Sequence, residues 1–129
     1  MNYLNLAVQL ALQNPIQARG RSGISRFCAV LTDGRHLFYA YNQYKTHPLQ
    51  ARFSLNPQSI YLHSEVSVIE KAIRHLSRGA SRRSVTDLSD FRLYVARVLK
   101  DGTSGLAMPC TGCFKAVRYF GIEKVQWTE

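Results

Sequence analysis

Two short strings in the sequence combine residue types that bind metals and move protons. The first is His63-Ser64-Glu65, and the second is Pro109-Cys110-Thr111-Gly112-Cys113. Cys110 and Cys113 are three residues apart, so their side chains lie on one face if this segment is helical. The positive end of a helix dipole lowers the pKa of a thiol there and favours the thiolate that binds metal. One imidazole together with two thiolates favours Zn²⁺, which accepts nitrogen and sulfur ligands in a tetrahedron.

A zinc ion held by His63, Cys110 and Cys113 would have three protein ligands and no net charge. Structural zinc sites are closed by four protein ligands, whereas catalytic sites keep one position for water. Zinc lowers the pKa of bound water from about 15.7 toward ~7, so hydroxide becomes available at neutral pH. Glu65 is two residues from His63, which prevents it from easily sharing the coordination face but keeps it close. The sequence therefore predicts a hydrolytic zinc site with Glu65 as the catalytic proton shuttle.

A structural zinc module that binds nucleic acid or protein is the competing interpretation, and it needs a fourth ligand. The candidates are Cys28, His36, His47 and His75. Cys28 lies in a predicted core strand, His36 in a predicted turn, and His75 about three turns from the start of its helix. His47 stays open because its loop leads toward His63, although we favour a place for it in the lining of a substrate pocket.

The elements that must position these residues follow from the hydrophobic pattern. Apolar spacing predicts helices over 2–13, 64–78 and 110–120, and strands over 27–31, 37–41, 91–99 and 122–127. Asp33-Gly34, between the first two strands, indicates a tight antiparallel hairpin. Residues 42–60 show no clear period and are predicted to form a long functional loop. The predicted order of elements is α-β-β-α-β-α-β.

This order predicts the fold class and the position of the site. A right-handed crossover in the closing α-β-α-β unit would make the last two strands parallel. Open sheets of this type bind ligands beyond the carboxyl ends of their strands, where both helix starts, near His63 and Cys110, would lie. We expect a single α/β domain over residues 1–129, with three α/β/α layers. Its mixed central sheet begins with the antiparallel hairpin and ends with parallel strands.

Length, composition and charge exclude several classes of protein. The chain has 129 residues, 46% hydrophobic and 19% charged, which argues for one domain and against disorder. No apolar run approaches the ~18–20 residues of a membrane span, and the start of the chain does not form a secretory signal, so we expect a cytoplasmic protein with no membrane partner. Three cysteines fit a reducing compartment. A net charge of +9 favours an anionic ligand such as a nucleotide or nucleic acid.

Several basic residues have two interpretations, a solvated surface or contact with phosphate. One set forms a stripe on the second predicted helix and the connection after it: Lys71, Arg74, Arg78, Arg82 and Arg83. A second set lies before the first strand and before His63: Arg19, Arg21, Arg26, Lys45 and Arg52. Tyr41, Tyr44 and Phe53 could stack on a base, although packing is the commoner role of such aromatic residues.

The two chemical strings, taken in order, resemble the H-x-E and P-C-x-x-C signature of the zinc-dependent cytidine and deoxycytidylate deaminase superfamily. The likeness covers the chain from about Cys28 to Thr128 and includes the order of the elements. Ala40-Tyr41-Asn42 resembles the G-Y-N segment of the deoxycytidylate deaminase branch. The chain departs from the family pattern at Ser64, where alanine is commoner, and at Ala40, which replaces a glycine.

The resemblance implies a cytidine-deaminase-like fold, a Zn²⁺ cofactor and a small-molecule nucleotide substrate, in particular deoxycytidylate converted to deoxyuridylate. It implies that Asn42 contacts the sugar and that backbone around Ser64 and Pro109 meets the edge of the pyrimidine. It also implies that Glu65 holds the base and that the protein assembles into a homo-oligomer. A deaminase of bases in transfer RNA or single-stranded DNA is the alternative that the charge of +9 leaves open.

Overall fold

A computed structural model describes residues 2–15, 25–43, 47–53, 62–77 and 87–129. The elements in chain order are α1 (Tyr3–Leu12), β1 (Arg26–Thr32), β2 (Leu37–Tyr41), α2 (Pro48–Phe53), α3 (Ser64–Leu76), β3 (Arg92–Val98), β4 (Ser104–Gly105), α4 (Thr111–Tyr119) and β5 (Lys124–Trp127). All seven predicted elements are present, and α2 and β4 are additional. Within these residues, no helix combines the length and the apolar content that crossing a membrane requires.

The strands form one mixed sheet around β3. β1 pairs in antiparallel fashion with β2 on one side and with β3 on the other. β5 and β4 share the remaining edge of β3, where β5 pairs in parallel and β4 in antiparallel fashion. The hairpin between β1 and β2 turns at Gly34, whose φ of 93° is a conformation that glycine adopts without strain. The predictions of an antiparallel hairpin and of parallel last strands are both confirmed.

Alternate residues of β1 and β3 face two separate cores, which makes three layers. On the side that we call the α1 face, Cys28, Val30 and Ala96 pack against Ala7 and Ala11 of α1. On the opposite side, the α3/α4 face, strand and helix residues form a larger cluster, which includes Ala29, Leu31, Leu93, Val95, Val66, Ile69, Cys113 and Ala116. The predicted α/β/α arrangement therefore matches the observed packing.

The segment 42–60 corrects one prediction, because part of the predicted loop is the helix α2. Pro48 occupies the first helical position, where the missing N–H has no helical partner to lose. Nδ1 of His47 accepts a hydrogen bond from the backbone N–H of Leu49 at 3.0 Å and so caps the helix. Gln50 and Phe53 are buried beneath it. Six residues are too few to display a helical period, so only the tertiary packing reveals this helix.

One end of the sheet gathers the carboxyl ends of β2, β3 and β5, because β2 and β3 run opposite to β1 and β5 runs parallel to β3. We call it the site end. Gln43, just after β2, donates its backbone N–H to the carbonyl oxygen of Leu62 at 3.0 Å. This bond brings the start of α3 to the site end, as the sequence predicted.

Candidate metal centre

His63 is the N-cap residue of α3 and has an extended backbone, with φ −76° and ψ 155°. Its ring makes no capping hydrogen bond to the helix. Its backbone N–H donates instead to Oε1 of Gln50 at 3.0 Å, and Gln50 is only 1% exposed. Helix α2 therefore holds the backbone of His63 through a buried amide, which leaves the imidazole available to α4.

Cys110 begins α4 in the same manner, as its N-cap residue. Its Sγ accepts a hydrogen bond from the backbone N–H of Cys113 at 3.4 Å, so the first helical turn brings both sulfurs to one side. Nδ1 of His63 lies 3.2 Å from Sγ of Cys113 and 3.7 Å from Sγ of Cys110. The ligand atoms of all three residues lie within 4.8 Å of one another. The predicted convergence of the two helix starts is confirmed.

These separations fit a tetrahedral zinc ion. Zinc bonds of ~2.3 Å to sulfur and ~2.05 Å to nitrogen, at a tetrahedral angle, place nitrogen and sulfur about 3.6 Å apart. The two observed distances, 3.2 and 3.7 Å, lie on either side of this value. Nitrogen and sulfur donors also suit zinc, whereas magnesium and calcium take oxygen donors. The group therefore could hold a metal ion, and its donors suit zinc.

The protonation of the metal-free group follows from its internal hydrogen bonds. The pKa of Cys110 is lowered to about 4, because the Cys113 thiol and the His63 ring donate hydrogen bonds to its thiolate. The pKa of Cys113 is raised by that same bond to Cys110 and by burial. The pKa of His63 is raised chiefly by its hydrogen bond with Cys110. One thiolate is thus present before any metal binds, and an arriving cation displaces the remaining protons.

Glu65 lies in the first turn of α3 and is 5% exposed. Oγ of Ser64 donates a hydrogen bond to its Oε1 at 2.7 Å, within the buried part of the site. The negative charge of Glu65 is one of the causes of the raised pKa of both His63 and Cys113.

Asn42 lies directly after β2 at the site end, but its side chain is tied to its neighbours. Its Oδ1 accepts hydrogen bonds from Nδ2 of Asn14 at 2.8 Å and from the backbone N–H of Phe27 at 3.0 Å. Its Nδ2 donates to the carbonyl oxygen of Ser25 at 3.2 Å. These bonds join β2, β1 and the end of α1. The second hydrogen on Nδ2 is the group through which Asn42 could reach a sugar.

The remaining residues that the sequence analysis singled out lie at different places in the fold. Pro109 is buried directly before Cys110. His47 caps α2, and the metal-ligating group found in the described part of the chain does not include it. Cys28 lies on the α1 face, and His36 and His75 are exposed. Among the residues that the structure describes, no fourth ligand joins the group, so the closed structural zinc site gains no support.

Most of the basic residues singled out from the sequence have local partners or lie outside the described ranges. Nζ of Lys71 donates to the carbonyl oxygen of Tyr39, and Arg74 lies 3.5 Å from Glu70. The guanidinium of Arg52 lies 4.6 Å from the ring centroid of Tyr119. Outside the described ranges lie Arg19, Arg21, Lys45, Arg78, Arg82 and Arg83, together with Tyr44.

Two polar residues at the site end were not singled out from the sequence. Gln50 lies within the segment predicted to be a loop, so nothing in the sequence pointed to it. Arg97 lies near the carboxyl end of β3 and is half-buried. The sequence did contain a signal for Arg97. Alternate residues of a strand share one face, so this charged residue falls on the same face as the buried Leu93 and Val95.

The family model described as "Cytidine and deoxycytidylate deaminase zinc-binding region" matches residues 1–129. The searches of curated proteins and of solved structures gave no match. The group of His63, Cys110 and Cys113 agrees with the zinc-binding property that the family description names. The mixed five-stranded sheet with its helices is consistent with a cytidine-deaminase-like fold.

Proposed function

The chain belongs to the cytidine and deoxycytidylate deaminase family, and from this premise we propose that it is a zinc-dependent hydrolytic deaminase of a cytosine nucleotide, with deoxycytidylate as the preferred substrate and deoxyuridylate as the product. One observation carries the proposal: His63, Cys110 and Cys113 converge beside the buried carboxylate of Glu65. In this proposal the three residues hold Zn²⁺, and Glu65 is the catalytic proton carrier.

In the proposed reaction, each residue of the site has a separate role. His63, Cys110 and Cys113 would hold the zinc ion, which would supply a water molecule of lowered pKa as the nucleophile for C4 of the cytosine ring. Glu65 accepts one proton from the attacking water and delivers it to N3 of the ring. It then accepts the second proton of that water and delivers it to the leaving amino group. Ser64 holds Oε1 of Glu65 through its 2.7 Å hydrogen bond and so limits the directions that the carboxylate can take. Cytosine and water are consumed, and uracil and ammonia are released.

Recognition of the substrate is assigned to groups around the same helix starts. We assign the sugar to Asn42, whose amide the neighbouring backbone holds at the site end. The backbone around Ser64 and Pro109 contacts the edge of the pyrimidine. His47 lines the pocket from the start of α2, where its Nδ1 is engaged as a cap.

The proposal is tested by incubating the zinc-loaded protein with deoxycytidylate, cytidylate, both nucleosides and an oligonucleotide, and measuring ammonia release. We expect deoxycytidylate to give the highest kcat/KM. Glu65→Gln is expected to lower kcat by about 10²–10⁴-fold while one zinc ion stays bound. Glu70→Gln, in the same helix but paired with Arg74 on the surface, is the matched control. A zinc-loaded wild-type protein that releases no ammonia from any substrate would refute the proposal.

A deaminase of bases in RNA or single-stranded DNA is the second candidate, and the net charge of +9 is the observation that favours it. Binding to a polynucleotide releases counterions, so its affinity falls steeply with salt, whereas the KM of a mononucleotide changes far less. Turnover of the oligonucleotide with a steep salt dependence, and no turnover of the mononucleotides, would replace deoxycytidylate by this second substrate class.

Two further features belong to the proposal. We infer self-association, because Leu106, Met108 and Tyr119 are each more than half exposed and a subunit contact would cover such side chains. We also infer a reducing compartment such as the cytoplasm, because Cys28, Cys110 and Cys113 are all unpaired. Light scattering of the purified protein tests the first inference, and fractionation of the source cells tests the second.

A further inference from the structure

We propose that Arg97 binds the phosphate group of the substrate, so that the site takes nucleoside monophosphates in preference to nucleosides. The inference rests on the proposed deaminase function and adds a residue that selects the class of substrate. It begins from the position of a half-buried cation that the reaction itself does not use.

Arg97 lies near the carboxyl end of β3, on the α3/α4 face that also carries the metal-ligating group. Its Nε donates a hydrogen bond to Oγ of Ser25 at 2.9 Å. The centre of its guanidinium lies 5.7 Å from the centroid of the Phe27 ring. These contacts place the charged group at the site end of the sheet and fix its stem between β1 and β3.

Arg97 has no carboxylate partner. All eight acidic side chains of the sequence lie in the part of the chain that the structure describes. Glu70 forms an ion pair with Arg74, and Asp33 lies 3.2 Å from Nδ1 of His36. A cation that is partly withdrawn from water without a counter-charge is unfavourable, and a bound anion would relieve that cost. The other basic candidates that the structure describes differ from Arg97. Arg74 pairs with an acid, Lys71 and Arg52 lie exposed against aromatic rings, and a terminal nitrogen of Arg26 already donates to the carbonyl oxygen of Leu12.

Two chains of hydrogen bonds lead from Arg97, one to the segment before Cys110 and the other to Asn42. On one side, its backbone N–H donates to Oγ1 of Thr128, whose carbonyl oxygen accepts from Ala107, two residues before Pro109. On the other side, Ser25, which accepts from Arg97, also accepts from Asn42 through its carbonyl oxygen. Arg97 therefore lies between the segment that leads to Cys110 and the residue assigned to the sugar.

The chemistry of the guanidinium suits a phosphate ester at this place. Nε of Arg97 is engaged with Ser25, so the two terminal nitrogens remain to donate to two phosphate oxygens in a bidentate pair. In a nucleotide the phosphate is joined to the sugar through one oxygen. A sugar held at Asn42 would thus carry its phosphate toward the neighbouring Arg97, while the base extends toward the zinc ligands.

The test compares kcat/KM for deoxycytidylate with kcat/KM for deoxycytidine in wild type, Arg97→Gln, Arg97→Lys and Arg92→Gln. The last variant removes a cation from the other end of the same strand. We expect the wild type to prefer the monophosphate by about 100-fold or more, as a charge-assisted bidentate contact allows. Arg97→Gln should reduce that ratio to below about ten through a higher KM, and Arg97→Lys should give a ratio in between. Arg92→Gln should keep the wild-type ratio.

A structural role for Arg97 predicts a different result. If its only function is to hold Ser25 and Phe27, Arg97→Gln lowers the melting temperature and impairs both substrates by the same factor. An unchanged ratio of kcat/KM values would therefore overturn the proposal, and so would a wild type that treats nucleoside and monophosphate alike. A short deoxycytidine oligonucleotide in the same assay separates the sources of phosphate. If it is preferred over the monophosphate, the phosphate of a polynucleotide takes the place of the monophosphate and the proposal is overturned.

Binding without turnover separates this proposal from the deaminase function. Calorimetric titration of the zinc-loaded protein with deoxyuridine monophosphate, deoxyuridine and inorganic phosphate reports the anion site directly. We expect the monophosphate to bind at least about ten-fold more tightly than the nucleoside, and this difference to vanish in Arg97→Gln. If no substrate is deaminated but this pattern appears, the deaminase function fails and the phosphate site stands. Equal affinities in the wild type would overturn the phosphate site alone.

Discussion

Cys28 lies on the face of the sheet that α1 covers, whereas Cys110 and Cys113 lie on the face that α3 and α4 cover. Cys28 is fully buried among Val30, Ala96 and the alanines of α1, and its pKa is raised to about 12, chiefly by burial. Cys110 is exposed, and its pKa is lowered to about 4. The same residue type is therefore inert on one face and ionised on the other.

The difference comes from the hydrogen bonds and dipoles that each face offers. On the α1 face the thiol of Cys28 lies mainly among apolar side chains, and its Sγ makes a weak contact with the carbonyl oxygen of Ala29 at 3.8 Å. The α3/α4 face offers the start of α4, the His63 ring and a second thiol. The acidity of a cysteine thus depends on its position at a helix start and on its neighbours, not on burial alone.

Removing a cysteine from each face should produce the largest contrast. Cys110→Ala deletes an exposed ligand and is expected to weaken zinc binding by at least about 10³-fold and to abolish turnover, because two ligands hold the ion far less well than three. Cys28→Ala should retain one zinc ion and wild-type kcat. Metal content after dialysis and the rate of ammonia release measure both. Loss of zinc from Cys28→Ala would show that the two faces are not independent.

In the metal-free protein, the cysteines of the two faces should react with an alkylating reagent at very different rates. At pH 7 Cys110 is a thiolate, whereas a thiol with a pKa of about 12 is ionised in only ~10⁻⁵ of molecules. We expect iodoacetamide to modify Cys110 at least about 10³-fold faster than Cys28. Mass spectrometry of peptides after short exposures gives the two rates. Zinc should protect Cys110 and leave the rate at Cys28 unchanged, and similar rates in the metal-free protein would contradict the comparison.

The acidity of the buffer should affect zinc binding in a defined direction. Cys113 and His63 have raised pKa values, so the metal-free site holds protons that zinc must displace, and affinity rises with pH. One proton from Cys113 gives about a ten-fold gain in affinity per pH unit, and protonated His63 makes the dependence steeper at low pH. Competition with a coloured chelator between pH 6 and 8 measures this slope. An affinity independent of pH would mean that the site is already deprotonated.

Cys28→Ser should give the smallest effect, and it tests the α1 face alone. The substitution places a hydroxyl among apolar side chains, so we expect the free energy of unfolding to fall by about 1–3 kcal/mol. Zinc affinity should not change, because the sheet separates this core from the ligands. Urea unfolding of the zinc-loaded protein, with wild type alongside, measures the loss. No loss of stability would mean that the hydroxyl finds a partner on this face.

The part of the site that the sequence predicted depends on local rules. His63, Cys110 and Cys113 could be placed together because each helix start follows from nearby apolar spacing, and the crossover brings both starts to one end of the sheet. The strands were predicted for the same reason. The two-residue strand β4 exists only through its pairing with β3, so no local pattern could reveal it.

The surroundings of the site depend on contacts between distant residues, which no local pattern contains. Gln50 reaches His63 only because α2 packs at the site end, and the bond between Arg97 and Ser25 joins residues 72 positions apart. The engagement of Asn42 with Asn14 and Phe27 likewise requires the pairing of β1 with β2. The group of His63, Cys110 and Cys113 and the neighbouring Glu65 could be singled out from the sequence, whereas the residues that support them required the folded chain.

The sulfur of Cys110 makes two kinds of interaction. It accepts the backbone N–H of Cys113, which caps α4, and it belongs to the metal-ligating group. Because the cap bond does not require an ion, α4 can keep its first turn when the ion leaves. We therefore expect the metal to be exchangeable under native conditions. A spectroscopically visible substitute such as cobalt could then be loaded into the emptied protein without refolding it.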